Sequence, residues 1–293
     1  MANTTSPRVW FITGCSTGLG RSLVELVLEN GEIVVASARN PTSLDDLVAK
    51  YPSTRLLALK LDITQPEQIK AAFSRTKAAF GRIDILVNNA GMTSLGEVEL
   101  MDEAKGREIL ETNFWGTLNV TKEAVRFFRD ENPSGLGGRL LQMSSFLGLT
   151  GAGCSAAGYY VASKFALEGI TETLSTELDP KWNIKITLLE PGWIRSALPS
   201  KVTWSPTDPH PAYAANPSLP TTALRTQDLV NATFIPWKNT RRCVEVIYKV
   251  AALQDPPLHF VLGKDAIGAT RAKIADLAGS MDKYETWSEG LEE

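Results

Sequence analysis

At 293 residues, with 43% hydrophobic and 22% charged side chains, the chain is long enough to bury a core and has the balance of a globular protein. A net charge of −3, a pI near 5.6 and no cluster of Lys and Arg argue against nucleic acid or an anionic membrane as partner. Cys15, Cys154 and Cys243 are odd in number and far apart, which suits a reducing compartment and gives neither a disulfide frame nor zinc spacing, so no metal is expected. The first residues are short and polar, without a signal-peptide pattern, and no apolar run approaches the ~20 residues of a membrane span. The cytoplasm is the expected location.

Taken in order, strands and helices alternate. Val9-Trp10-Phe11-Ile12 is an apolar run that predicts a buried strand. It runs into Thr13-Gly14-Cys15-Ser16-Thr17-Gly18-Leu19-Gly20, and a helical pattern follows to Asn30-Gly31. Strand, glycine loop and helix set backbone N–H groups and a helix N-terminus against a pyrophosphate. The spacing departs from the G-x-G-x-x-G form, and a plain strand-to-helix turn is the alternative. Ile33–Ala36 predicts a second strand, ending at Ser37-Ala38-Arg39 with no acid in sight. An arginine there can receive a ribose 2′-phosphate, or can simply lie on the surface.

A short helix over Leu44–Lys50, a third strand over Leu56–Leu61 ending at Asp62, and a helix from Pro66 to Phe80 come next. A fourth strand, Ile83–Val87, meets Asn88-Asn89-Ala90-Gly91. Glu103 to Arg129 reads as one long helix interrupted in character by Asn113, which predicts a kink, a chemical role, or both. The fifth strand leads to Ser144-Ser145, a helix carries Tyr160 to about Leu178, and a sixth strand over Ile184–Leu189 ends at Glu190-Pro191-Gly192. Strands apolar on both faces, alternating with helices, predict an α/β fold with a doubly wound parallel sheet.

Past Gly192 the pattern lapses. Residues 193–237 hold many prolines together with Trp193, Leu198, Trp204, Tyr213, Phe234 and Trp237, and no regular elements are predicted there. A helix over Arg241–Leu253, a last strand over Leu258–Leu262 and a last helix over Asp265–Met281 complete about seven strands. His210 and His259 have no sequence neighbour at ligand spacing and read as structural or solvated. The whole chain, 1–293, reads as a single domain with 193–237 as a segment able to close over a site.

Tyr160 and Lys164, four apart on a helix, share one face. An ammonium beside a phenol is expected to lower its pKa from the usual ~10 and fit it for proton transfer. A half-buried ring and a solvated amine would give the same spacing. Ser145, at the end of a parallel strand, stands where open α/β sheets bind ligands.

These residues resemble the short-chain dehydrogenase/reductase family in its single-domain, Rossmann-type branch. The pattern T-G-x-x-x-G-x-G is met by Thr13, Gly14, Gly18 and Gly20. N-N-A-G is met by Asn88 to Gly91, Y-x-x-x-K by Tyr160 and Lys164, and a proline-glycine after the sixth strand by Pro191-Gly192. The resemblance covers the chain to about Ser196 and the last strand.

The resemblance implies NADP(H) as cofactor. The loop from Gly14 through Ser16, Thr17, Gly18, Leu19 and Gly20 would hold it, with Arg39, Asp62 and Ile63, then Asn89, Ala90 and Gly91. Pro191, Gly192, Ile194 and Ser196 would meet the nicotinamide end. Asn113 would support a proton path to Lys164, Ser145 would hold the substrate oxygen, Tyr160 would transfer the proton, and Lys164 would bind the nicotinamide ribose. The opening strand and Ala38-Arg39-Asn40-Pro41 look like the branch near 17β-hydroxysteroid and retinol dehydrogenases. The Ser-to-Tyr segment is about two residues longer than the family's, and Ser196 stands where Thr is usual.

The expected activity is NADP(H)-dependent reduction of a bulky apolar ketone or aldehyde, or oxidation of the matching alcohol, with Trp193 and Trp204 at the substrate. A homodimer or homotetramer is expected. The alternative is a module that senses NADP(H) without turnover; the presence of Asn113, Ser145, Tyr160 and Lys164 together favours the enzyme.

Overall fold

The computed structural model describes residues 6–152, 154–195, 202–225 and 235–291. The strands β1 (Val9–Ile12), β2 (Ile33–Ala38), β3 (Leu56–Lys60), β4 (Ile85–Asn88), β5 (Gly138–Met143), β6 (Ile184–Pro191) and β7 (His259–Leu262) form one parallel sheet. Its order is β3-β2-β1-β4-β5-β6-β7. The period of two along each strand sends alternate residues to opposite faces. Trp10 and Ile12 enter a core shared with helices α1 (Gly18–Glu29) and α9 (Thr240–Val250). Val9 and Phe11 enter the core of the other face, with α3 (Pro66–Phe80) and α5 (Thr117–Asp130). Both faces are covered, which is why the strands read as continuous apolar runs.

The order reverses between β1 and β4, and the crevice at this switch point lies off the carboxyl ends of the strands. The glycine loop after β1, Asn89–Gly91 after β4, Ser145 after β5 and Gly192 after β6 all lie on that edge. Helix α6 (Gly158–Glu177) packs on β6 and on the short turn Phe146–Gly148 that follows β5, so Tyr160 comes to the same edge.

Two stretches differ from expectation. The single helix predicted over Glu103–Arg129 is divided into α4 (Glu103–Leu110), a π-turn over Glu111–Gly116, and α5. Asn113 sits in the π-turn because its side chain is tied to Met92, which pulls the helix out of register. The proline-rich segment is not devoid of elements either. It contains α7 (Pro211–Ala214) and α8 (Pro220–Arg225), each begun by a proline, whose missing N–H costs nothing in a first turn. His210 caps α7 by accepting from the Ala212 amide at 3.1 Å. The remaining helices are α2 (Asp45–Lys50) and α10 (Lys264–Tyr284). No helix among the described residues is long and apolar enough to cross a membrane.

Candidate active site

The glycine loop is shaped by contacts that admit no side chain. Gly14 lies at φ 71°, and a Cβ there would meet the Ala90 Cα at 2.7 Å. A Cβ on Gly20 would fall 2.4 Å from the Asn89 Nδ2. That Nδ2 donates to the carbonyls of Thr13 (2.8 Å) and Gly14 (3.1 Å), while the Thr13 hydroxyl accepts from the amides of Asn89 and Ala90 at 3.0 Å each. The end of β4 thus locks the loop that follows β1. Helix α1 opens at Gly18, with Thr17 before it, Leu19 behind it and no acidic residue in the first turn, so its positive end suits an anion. Ser16 lies in the turn. Cys15 is buried, donates to the Ile12 carbonyl, and is held as a thiol by burial, which pushes it up to about 12.

Along the same edge, Arg39 is exposed one residue past β2, next to Ser37, whose carbonyl accepts the Cys15 amide at 2.8 Å. Asp62 lies just past β3 and accepts from the amide (3.0 Å) and hydroxyl (2.8 Å) of Thr64. Ile63 is buried against Gly116. Gly91 lies against Asn113, whose Oδ1 would be 3.3 Å from a Cβ there. Asn113 is fully buried. Its Oδ1 accepts from the Met92 amide at 2.9 Å, and its Nδ2 donates to the Met92 carbonyl (2.8 Å) and to Ser163 Oγ (3.0 Å). Ser163 in turn donates to the Tyr160 carbonyl at 2.7 Å. The Asn113 amide therefore spans from the β4 loop to the first turn of α6.

The Ser145 hydroxyl lies beside the Tyr160 phenol and accepts from the Leu147 amide at 3.2 Å. Ser144 turns the other way, to Glu168. Lys164 is buried, and its Nζ donates to the Met143 carbonyl at 2.7 Å and lies 5.6 Å from the Tyr160 ring centroid. The expected lowering of the phenol is not what this geometry gives. Burial pushes Tyr160 up to about 12, against a smaller lowering by the neighbouring Ser145 hydroxyl. Lys164 is itself pulled down to about 8 by burial, opposed by the charge of Glu168. The i,i+4 spacing brings the pair onto one face, but the ammonium is aimed at a backbone carbonyl rather than at the phenol oxygen.

At the mouth of the site, Gly192 follows β6 without room for a Cβ, which would fall 2.3 Å from Asp265 Oδ2. That carboxylate accepts from the Trp193 amide at 3.0 Å and pairs with Lys238, while Ile194 bridges Lys238. Both ends of the 193–237 segment are thereby pinned at one point. Pro191 is buried as the last residue of β6. Ser196, together with Leu198 and Phe234, lies outside the described residues. Two apolar clusters flank Tyr160. One is built on Phe146 and Leu147 and includes Trp193. The other is built on Leu95 and Ala157 and includes Trp204 and Leu224. Trp204 lies under Arg225, whose Cζ is 4.1 Å from the ring centroid and which pairs with buried Glu97 at 2.8 Å.

A second polar cluster lies farther along α6. His259, on β7, is hydrogen-bonded to Glu190 at 2.7 Å and stands 3.7 Å from both Glu168 and Glu172. His259 has no neighbour at ligand spacing in the sequence, and its partners come from α6 and β6, far away along the chain. Burial raises Glu168 to about 7 and raises Glu190 as well. Glu168, Glu190 and His259 have ligand atoms within 4.8 Å of one another and could in principle surround a cation. The 2.7 Å His259–Glu190 contact is closer than the ~3.3 Å between two ligands of one tetrahedral ion. It is the geometry of shared protons.

A model of the family described as short chain dehydrogenase matches residues 8–205. An uncharacterized oxidoreductase of Schizosaccharomyces pombe is 36% identical over 280 residues, covering 92% of this chain and 87% of the relative. A short-chain dehydrogenase from Streptomyces avermitilis superposes with a TM-score of 0.85 at 31% identity, over the whole of both chains. A short-chain dehydrogenase/reductase from Burkholderia phymatum, solved with NAD, gives a TM-score of 0.76 at 18% identity, covering 94% and 95% of the two chains.

The chain belongs to the short-chain dehydrogenase family. It is an oxidoreductase of that family, acting on a small molecule, and its fold binds a nicotinamide cofactor. Several contacts that serve this dehydrogenase's site escaped sequence reasoning. Thr13 locks the loop through its hydroxyl, Ser163 links Asn113 to Tyr160, the Met143 carbonyl receives Lys164, and Asp265 with Lys238 pins Trp193. Thr13 was within reach, since a hydroxyl immediately before a tight glycine turn has backbone donors nearby.

Proposed function

We propose that this dehydrogenase reduces a ketone or aldehyde carbonyl on a bulky, mostly apolar molecule, using NADPH. The observation that carries the reading is the position of the Tyr160 hydroxyl. It lies beside Ser145 and between the Trp193 and Trp204 clusters. The glycine loop fits the cofactor: Gly14 and Gly20 let it close tightly on Ala90 and Asn89, beside a helix N-terminus with no acid in its first turn. Gly14, Ser16, Thr17, Gly18, Leu19 and Gly20 would hold the pyrophosphate. Asp62, Ile63 and Asn89–Gly91 would border the adenosine side, and Pro191, Gly192, Ile194 and Ser196 the nicotinamide side. When bound, the cofactor supplies the hydride.

The chain's own residues supply the rest. Ser145 holds the substrate oxygen, and Tyr160, kept protonated by burial, gives it a proton. Lys164, fixed by the Met143 carbonyl, keeps a positive charge behind the phenol at neutral pH, where the proton is given up and regained. Asn113 spends both Nδ2 hydrogens on Met92 and Ser163, so it holds the β4 loop to α6. Any proton path through it would use its main-chain carbonyl. The whole chain would work as one unit in the cytoplasm, with 193–237 as its lid.

A substrate panel read by NADPH absorbance tests this proposal. Large apolar ketones should give the highest kcat/KM, and Trp204→Ala should lower that preference about three- to tenfold, as expected for roughly 30–50 Å² of lost apolar cover at 25 cal/mol per Å². Best turnover of small polar carbonyls would overturn the substrate reading. Preference for NADPH would rest on Arg39, whose guanidinium can pair with a 2′-phosphate. Arg39→Ala should weaken NADPH roughly ten- to hundredfold and leave NADH nearly unchanged. An equal loss with both cofactors would remove Arg39 from the site.

A further inference from the structure

Helix α10 leaves the body of the protein after its first turns. Ala266 is its buried residue and Ala269 packs on the Phe146 cluster, but from Arg271 to Leu291 no residue is buried. A helix gains most of its stability from packing an apolar face, and here the second half has nothing to pack on. That half is not polar. Ile274 and Met281 are seven residues apart, as are Leu277 and Tyr284, and Ile267 stands one heptad before Ile274; each is between 37% and 64% exposed. A strict seven-residue repeat on two positions is the narrow seam by which one helix packs on another, not the broad stripe by which a helix covers a globular core.

We propose that α10 pairs antiparallel with α10 of a second copy of this chain, around a two-fold axis near Gly279. The charges decide for a second copy and for that direction. From Arg271 on, Arg271, Lys273 and one acid, Asp276, precede the axis, while Asp282 and, just past the end of α10, Glu285 and Glu289 follow it with Lys283 as the exception. A parallel pair would set like charges side by side; an antiparallel pair sets the basic half of one helix on the acidic half of the other. One register satisfies seam and flanks together. Ile274 meets the partner's Tyr284, and Leu277 meets the partner's Met281. Arg271 flanks the seam opposite the partner's Glu285, and Lys273 lies near the partner's Tyr284 and Trp287 rings, which contact edge to face at 5.4 Å in each chain. At the axis the flanking residues are Ala278 and Ser280, small enough for close approach. The acidic second half makes an anionic membrane surface a poorer occupant than a second copy.

The pairing also reaches the site. Asp265, at the start of α10, holds the Trp193 amide and Lys238, so a helix steadied by a partner steadies the placement of Trp193.

Sedimentation equilibrium on the full chain, with the fold followed by circular dichroism, tests the proposal. Wild type is expected at twice the 31.9 kDa of one chain, or at a higher even multiple. Leu277→Asp should halve that mass without loss of folded signal. Arg271→Glu and Glu285→Arg should each weaken association about tenfold, and the double variant should restore it, because the exchanged charges face each other again. Ser280→Cys should be joined between copies by a short bis-maleimide, whereas Ala272→Cys, on the outer face, should not. A wild-type monomer at ~50 μM, well above typical dimer constants for a specific interface, would overturn the pairing. So would a mass unchanged by Leu277→Asp, or failure of the double variant to recover. Monomeric protein that pellets with phosphatidylcholine/phosphatidylserine vesicles, and loses this with Leu277→Asp, would give the face to a membrane instead.

Discussion

Helix α6 carries two groups of ionisable side chains, and they were built in different ways. Tyr160 and Lys164 are one turn apart, so the helix alone brings them together. One turn farther on, Glu168 is buried beside Glu190 from β6 and His259 from β7, and only the sheet brings those three together. In the first group the neighbours were legible but their electrostatics were not. In the second neither was. Spacing along a helix tells which side chains share a face; it does not tell how much water remains around them. Here burial outweighs the nearby charge, holding Tyr160 up to about 12 and Glu168 up to about 7.

The largest expected effect breaks the first group. Tyr160→Phe keeps the ring and loses the proton, and turnover should fall by roughly 10²–10⁴ with cofactor affinity little changed. Single-turnover absorbance and a fluorescence titration with NADPH check the two halves of that statement. Turnover near wild type would remove Tyr160 as proton donor.

Next in size is a test of the second group. The folded pKa of Glu168 lies above its unfolded value of 4.5, at about 7. Below 4.5 the group is protonated in both states and costs nothing. As pH rises toward 7 the unfolded chain releases its proton first, so stability falls through that window and then levels off. A rise of this size in a buried carboxyl corresponds to roughly 3 kcal/mol. Glu168→Gln should flatten the fall in Tm between pH 4.5 and 7 and leave the variant relatively more stable at pH 8. It also removes the charge that opposes the lowering of Lys164, so the amine should titrate still further below its ordinary value. A wild-type Tm that rises over the same pH range would contradict the burial argument.

The smallest effect sharpens the contrast. His259 is half-exposed and holds one oxygen of buried Glu190. His259→Leu leaves that carboxyl without this partner and should cost about 1 kcal/mol, because burial already favours the neutral form of Glu190. Urea melts at pH 6 and pH 8 measure it. A loss as large as that of a wholly unpaired buried charge would mean that Glu190 is ionised in the folded protein.

The sequence by itself determined the alternation of strands and helices, the glycine loop, the strand ends that border the crevice and the Tyr160–Lys164 face. Each of these rests on a period of two, on a period of 3.6, or on a turn a few residues long, and all are interactions between near neighbours in the chain. Arg39 was legible as a position one residue past β2, since a strand end is a local feature. Only the tertiary structure decided the rest. The π-turn at Asn113 exists because Met92, twenty-one residues earlier, offers an amide and a carbonyl at the right place. The clamp of Asp265 and Lys238 on Trp193 closes a segment whose ends are forty-five residues apart. His259 finds Glu190 because β7 pairs with β6. The height of the Tyr160 pKa depends on how much water the two apolar clusters exclude, and that exclusion belongs to the packed assembly rather than to any stretch of the chain.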